Sequence, residues 1–148
     1  MSDRPSLDDA QLLERFDQAS LTIEQFSHRA HVRVAWILLR RDGFDGAMEA
    51  LRAGLPRLLT AFGIADTPTQ GYHETTTQAF LILVDTTMRA YESEMASADS
   101  DAFCEAHPQL LSSKILRLYY APEHRMKPEA KHRFLEPDLA PLPRWPAR

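Results

Sequence analysis

The sequence predicts an all-α, single-domain helical bundle of about four main helices, with short C-terminal helices and an extended proline-rich tail. Three observations predict it. Apolar residues recur at the three-to-four spacing of one helix face nearly throughout. No segment alternates as a half-buried strand does. The connections are short enough to make successive helices antiparallel. A chain of 148 residues fits one domain, which buries roughly 70% of its unfolded surface.

Leu12, Leu13 and Phe16 mark a first short helix, with Ser6 as N-cap and Asp9 three residues on. Ser27 then caps a second helix from His28 to about Arg41. Its apolar stripe is His28, His31, Val32, Ala35, Leu38 and Leu39, and Asp42-Gly43 ends it. Asp45 is placed to cap a third helix from Gly46 to about Phe62, with Ala47, Leu51, Leu55, Leu58, Leu59 and Phe62 inward. Pro56 lies inside that helix, where its missing N–H and its ring predict a kink or break. Gly63 to Gly71 reads as a loop.

A fourth helix runs from about Tyr72 to Tyr91, with His73, Thr77, Phe80, Leu81, Val84 and Met88 on one face. Shorter pieces follow: Asp101 to Ala106, stopped by Pro108; Ser113 to Tyr120; and a turn from Pro128 to Phe134, where Pro128 suits a first helical position. The stretch from about 135 to 148 is too rich in proline for helix. It is expected to pack on the body through Leu139, Leu142 or Trp145.

Composition narrows the function classes. A net charge of −4 argues against a nucleic-acid surface, and Arg29, Arg33 and Arg40, at helical spacing, read as a solvated face. The longest apolar runs, Val34 to Leu39 and Ala79 to Val84, are too short to span a bilayer. The acidic N-terminus lacks a signal-peptide core. A single cysteine, Cys104, precludes an intrachain disulfide and reads as a buried small residue. A soluble, cytoplasmic protein is expected.

Two histidine clusters carry the functional expectation: Ser27-His28-Arg29-Ala30-His31 and Tyr72-His73-Glu74-Thr75. Helices of about 14 and 17 residues span roughly 20 and 25 Å. If one leaves and the next returns, the starts of the second and fourth helices meet at one pole, and His28, His31 and His73 converge there from apolar stripes. Three imidazoles with an open position describe a catalytic zinc site, and Glu74 as a further ligand would suit iron or manganese. Glu74 could instead act as general base beside a metal-bound water. Tyr72 and Thr77 offer hydroxyls to a substrate.

The leading expectation is therefore a small metalloprotein, an enzyme acting on a small polar or anionic molecule, with a divalent transition metal (zinc, iron or manganese) as cofactor. The same geometry supports an opposite reading. Two helix N-termini aimed at one point present partial positive charge and free N–H groups, which favour an anion over a cation. A metal-free protein binding an anionic small molecule is the first alternative, and a helical interaction module whose histidines merely pack is the second. His73-Glu74-Thr75-Thr76-Thr77 is not the H-E-x-x-H motif, and Glu129-x-x-His132 is a lone pair in a proline-flanked turn that reads as solvated. Tyr119 and Tyr120 read as packing residues, and His107, His124 and His132 as surface residues.

Phe26-Ser27-His28-x-x-His31-Val32-x-x-Ala35, Tyr72-His73-Glu74-Thr75, Leu118-Tyr119-Tyr120 and Phe134-x-Glu136-Pro137-Asp138-Leu139-x-Pro141-Leu142-Pro143 together resemble an uncharacterised family of small, single-domain bacterial proteins. The resemblance spans about Phe26 to Pro143. It implies no activity, but it implies that His28, His31, His73 and Glu74 form one motif set. The chain departs from the histidine spacing of DinB-like thiol transferases, and it has no His-Asp doublet of the HD phosphohydrolase kind.

Overall fold

The structure, a computed structural model, describes residues 6–144, and among these there is no β-strand. The six α-helices are α1 (Asp9–Asp17), α2 (His28–Ala61), α3 (Glu74–Met95), α4 (Ser100–Ala106), α5 (Pro122–Arg125) and α6 (Pro128–His132), with 3-10 turns at Pro108–Leu111 and Ile115–Leu118. The protein is an all-α bundle in which α1, α3 and α4 pack on α2, and α6 packs on α3. No helix among the described residues is long and apolar enough to cross a membrane.

Local chemistry sets most of the boundaries. Asp8, not Ser6, caps α1. Its side chain accepts from the Gln11 N–H while the Gln11 side chain accepts from the Asp8 N–H, a reciprocal pair that Ser6 with Asp9 cannot make. Ser27 caps α2 as expected, accepting from Ala30 N–H at 3.2 Å.

The break predicted at Asp42-Gly43 is present inside α2. Gly43 adopts φ 73° and ψ −177°, a conformation open only to glycine. It divides α2 into two limbs that fold back beside each other, with Ala47, Leu51, Leu55 and Leu58 of the second limb buried. Two expectations fail here. Asp45 makes no capping hydrogen bond among the described residues. Nor does Pro56 break the helix, since Gly43 is the non-helical residue within α2. The carbonyl that Pro56 leaves without its helical donor belongs to Arg52, an exposed residue.

Gly54 serves a close approach. A Cβ there would lie 2.6 Å from the Phe16 ring, and that ring is 1% exposed in the core. Helix propensity alone favours Gly54→Ala by roughly 0.5–1 kcal/mol, but displacing Phe16 costs more. Gly54→Ala is expected to lose about 1–2 kcal/mol net in a urea titration; a stabilised variant would refute the packing of α1 on this face.

The arginine stripe is solvated only in part. Arg33 is buried, donating to Leu7 O at 2.7 Å and Ser100 Oγ at 2.7 Å and pairing with Asp9 at 3.3 Å. Asp9 also holds the Ser100 N–H at 2.9 Å, so a single polar cluster joins α1, α2 and α4. Arg29 reaches Asp101 and Glu105 on α4, and the Arg40 guanidinium stacks 4.9 Å from the Trp36 ring centroid. Arg29 and Arg33 thus belong to a helix–helix contact, whereas Arg40 is exposed as a solvated face would have it.

After α3 the chain returns over the bundle. The Ser113–Tyr120 segment forms a 3-10 turn at Ile115–Leu118 in place of the expected helix, and α5 forms where none was expected. Tyr120 is 1% exposed and its hydroxyl donates to Leu135 O at 2.7 Å. Leu142 anchors the tail in the core while Leu139 is exposed; Trp145, the third proposed anchor, lies outside the described residues. Thr86 fixes the tail further by donating to Pro143 O at 2.9 Å.

Candidate functional site

The first turns of α2 and α3 do meet at one pole. His28 and His31 from α2 and Thr76 and Thr77 from α3 border one cavity of about 310 Å3. Its apolar wall includes Val32 and Ala35 from the first limb of α2, Leu51 and Leu55 from the second, and Phe80 and Val84 from α3. Small residues explain the space: Ala35, Thr76 and Thr77 stand where larger side chains would close it. Ser113 and Arg125, from the returning segment, complete the polar lining.

His31 is the group most open to a ligand. It is exposed to solvent and borders the cavity. Its ring stacks on Phe26 with centroids 3.9 Å apart, and neither ring nitrogen makes a hydrogen bond among the described residues. The protein atoms packed around the ring first, and the neighbouring His28 second, push its pKa down, to about 4. The imidazole is therefore neutral at pH 7, with one nitrogen to donate and one to accept. Because the folded pKa lies below the unfolded one, this ring's contribution to stability is complete above about pH 6.5 and is lost as pH falls towards 4.

His28 is half-buried and donates from Nε2 to Leu110 O at 2.9 Å. Its ring meets Phe80 edge-on at 5.0 Å. His28 and His31, one turn apart, place their ring centroids 6.4 Å from each other.

The second cluster is built differently from the expectation. His73 is the N-cap of α3, not a residue of its first turn: Nδ1 accepts from Thr76 N–H at 3.1 Å, so Nε2 carries the proton and donates to Arg125 O at 3.1 Å. Burial, together with the nearby positive charges of Arg125 and Lys131, lowers its pKa, against the opposing pull of the carbonyl. Both ring nitrogens are thus engaged, and His73 borders a neighbouring groove instead of the His31 cavity. Among the described residues no group of three or more His, Cys, Asp or Glu is placed to hold a metal ion.

Glu74 and Tyr72 stand outside the cavity lining as well. The Glu74 carboxylate receives Arg52 Nη2 at 2.7 Å and the Tyr72 hydroxyl at 2.8 Å. Burial alone would raise its pKa, but these two donors outweigh it and hold the carboxyl below its usual range. The Tyr72 phenol is raised by burial and by Glu74. Thr75 is fully buried; its hydroxyl lies 2.7 Å from Ala130 O and 2.9 Å from Arg133 O and accepts from Leu135 N–H at 3.1 Å. The Tyr-His-Glu-Thr run therefore clasps α3 to the second limb of α2 and to the C-terminal segment. Of its two substrate-contact candidates, Thr77 borders the cavity and Tyr72 does not.

Arg125 escaped the sequence reading. It sits half-buried at the end of α5, and its nearest side-chain partner is Thr76 Oγ1 at 3.4 Å. It makes no ion pair among the described residues. Burial, with Arg117, lowers its pKa, but a guanidinium stays charged. A signal was present in Pro122 at a first helical position, followed by acidic then basic residues.

Among the remaining titratable groups, His107 is buried, not on the surface, with its ring tilted 4.8 Å from those of both Tyr91 and Phe103. Cys104 is buried as expected, and burial pushes its thiol up to about 11. Glu129 and His132 are both exposed, with Glu129 paired to Arg133.

The chain matches no protein-family model, and no curated protein or solved structure matches it.

Proposed function

We propose that the protein binds, without a metal, a small organic anion with an apolar body, in the cavity between the first turns of α2 and α3. One observation carries this reading. A largely apolar cavity holds two polar groups that the fold leaves without full partners, the neutral His31 ring and the cationic Arg125. Binding sites for small molecules combine an apolar lining with a few such placed groups. Among the described residues no Asp or Glu borders the cavity, so an anion meets no repulsion from them, and the start of α3 adds its partial positive charge. A volume of about 310 Å3 is the space of about ten waters at roughly 30 Å3 each, which suits a small ligand. His31, with a pKa of about 4, is a weak base at pH 7 and serves as a hydrogen-bonding group.

Octanoate has the required chemistry. At one hundred times its Kd it should stabilise the chain by about 2.7 kcal/mol, a rise in melting temperature of roughly 5–10 °C. Ala35→Leu, which fills the cavity, should abolish that rise while the free protein melts at or above the wild-type temperature. Arg125→Gln should weaken it. An identical rise in Ala35→Leu, or none in the wild type, would remove the cavity as the site.

A metal held by His28, His31 and His73 is a second reading, favoured by two imidazoles 6.4 Å apart on one helix turn. It requires His73 to give up its bonds to Thr76 N–H and Arg125 O, uncapping α3 at a cost of about 1 kcal/mol. Near-stoichiometric zinc, iron or manganese in untagged protein, lost in a His31→Ala/His73→Ala double variant, would replace the metal-free reading.

A further inference from the structure

The cavity has a neighbour beyond Arg125. Thr76 and Arg125, in contact at 3.4 Å, form a wall common to the His31 cavity and to a second groove of about 350 Å3. The groove runs between the loop at Pro68–Gly71 and the segment carrying Met126, Lys127 and Lys131. Among the described residues its lining contains three cationic side chains and no Asp or Glu, although the chain as a whole has a net charge of −4.

These cations are not equally free. Lys131 is buried, and its Nζ is spent on Gln70 O, Tyr72 O and Asp66, at 3.0, 2.6 and 2.7 Å. Arg125 and Lys127 have no carboxylate partner among the described residues. The groove therefore carries two uncompensated positive charges, one of them on the wall it has in common with the apolar cavity.

A carboxylate would neutralise one of them. A phosphate monoester carries a charge of about −1.5 to −2 at pH 7 and three acceptor oxygens, and guanidinium and ammonium groups hold such oxygens by charge-assisted hydrogen bonds. We propose that this groove is the head-group subsite for a soluble phosphate monoester whose apolar body occupies the His31 cavity. The inference rests on the binding function above and adds the identity of the anionic group.

Calorimetry on the full chain tests it with four probes kept below their micelle concentrations: n-octyl phosphate, octanoate, n-octanol and inorganic phosphate. Octyl phosphate should bind about tenfold more tightly than octanoate and more tightly still than octanol or inorganic phosphate. Lys127→Gln, at an exposed position, should close the gap between octyl phosphate and octanoate and leave octanoate binding unchanged. Equal affinity of those two probes in the wild type, or an unchanged gap in Lys127→Gln, would overturn the phosphate subsite and leave the binding function standing. Inorganic phosphate binding as tightly as octyl phosphate would overturn the link between groove and cavity. Sedimentation with vesicles containing phosphatidic acid, without binding of octyl phosphate, would reassign the groove to a lipid surface. No binding of any probe would overturn the binding function itself.

Discussion

Thr75→Val should destabilise the protein by about 2–3 kcal/mol despite nearly unchanged side-chain shape. Thr75 is 0% exposed; its one hydroxyl proton lies between Ala130 O and Arg133 O, and its oxygen accepts from Leu135 N–H. Valine leaves these backbone groups buried without that partner, and each unsatisfied group costs about 1–3 kcal/mol before relaxation. Local relaxation, and the partners that the carbonyls regain from water, bring the net loss to the stated figure. Chemical denaturation reads the loss, and faster hydrogen exchange at the Leu135 amide locates it. A loss under about 0.5 kcal/mol, the range of ordinary surface substitutions, would mean that the C-terminal segment is held by apolar packing and not by this hydroxyl.

Arg33→Met should cost a comparable or larger amount, about 2–4 kcal/mol. Methionine keeps an unbranched stem and removes the guanidinium, so the loss reports mainly on the polar cluster. Arg33 has a side chain only 7% exposed and joins Asp9, Asp101, Ser100 and Leu7 O. Removing one member of a buried charged cluster strands the others. Arg29→Met, on the same helix stripe, should cost under about 1 kcal/mol, because Arg29 is 37% exposed and its partners Asp101 and Glu105 are 43% and 76% exposed. Equal effects for the two variants in urea titrations would contradict the structural distinction between them.

The pair also marks where sequence reasoning stopped. Periodicity placed Arg29, Arg33 and Arg40 on one face correctly, but it cannot tell a face turned to water from one turned to an acidic neighbour. That required knowing that α4 brings Ser100 and Asp101 alongside. The all-α class, the cap at Ser27 and the break at Gly43 were legible because each depends on residues close in sequence. Pro56 does not interrupt the second limb of α2, since proline removes one hydrogen bond but need not break a helix held by packing.

The candidate site followed the same division. That the starts of α2 and α3 share a pole follows from helix lengths and short connections, and His28, His31, Thr76 and Thr77 on one cavity agree with it. The partners of individual side chains did not follow. His73 looked like a third inward imidazole because it continues a stripe. One residue of register turns it into an N-cap whose ring is occupied on both sides. Glu74 looked like a base or ligand, and its fate depended on Arg52, which lies on a different helix. Arg125 depended on a four-residue helix too short to register as periodicity.

Histidine-selective NMR of the full chain, with octanoate and then zinc as titrants, discriminates most directly between a cavity that takes an organic anion and a metal centre. In the free protein the His31 signals should titrate near pH 4, and His73 should show a protonated Nε2 with an accepting Nδ1. Saturating octanoate should displace the His31 signals and leave the His73 pattern in place. One equivalent of zinc that moves His28, His31 and His73 together, with octanoate moving none of them, would contradict the anion-binding function and establish the metal centre instead.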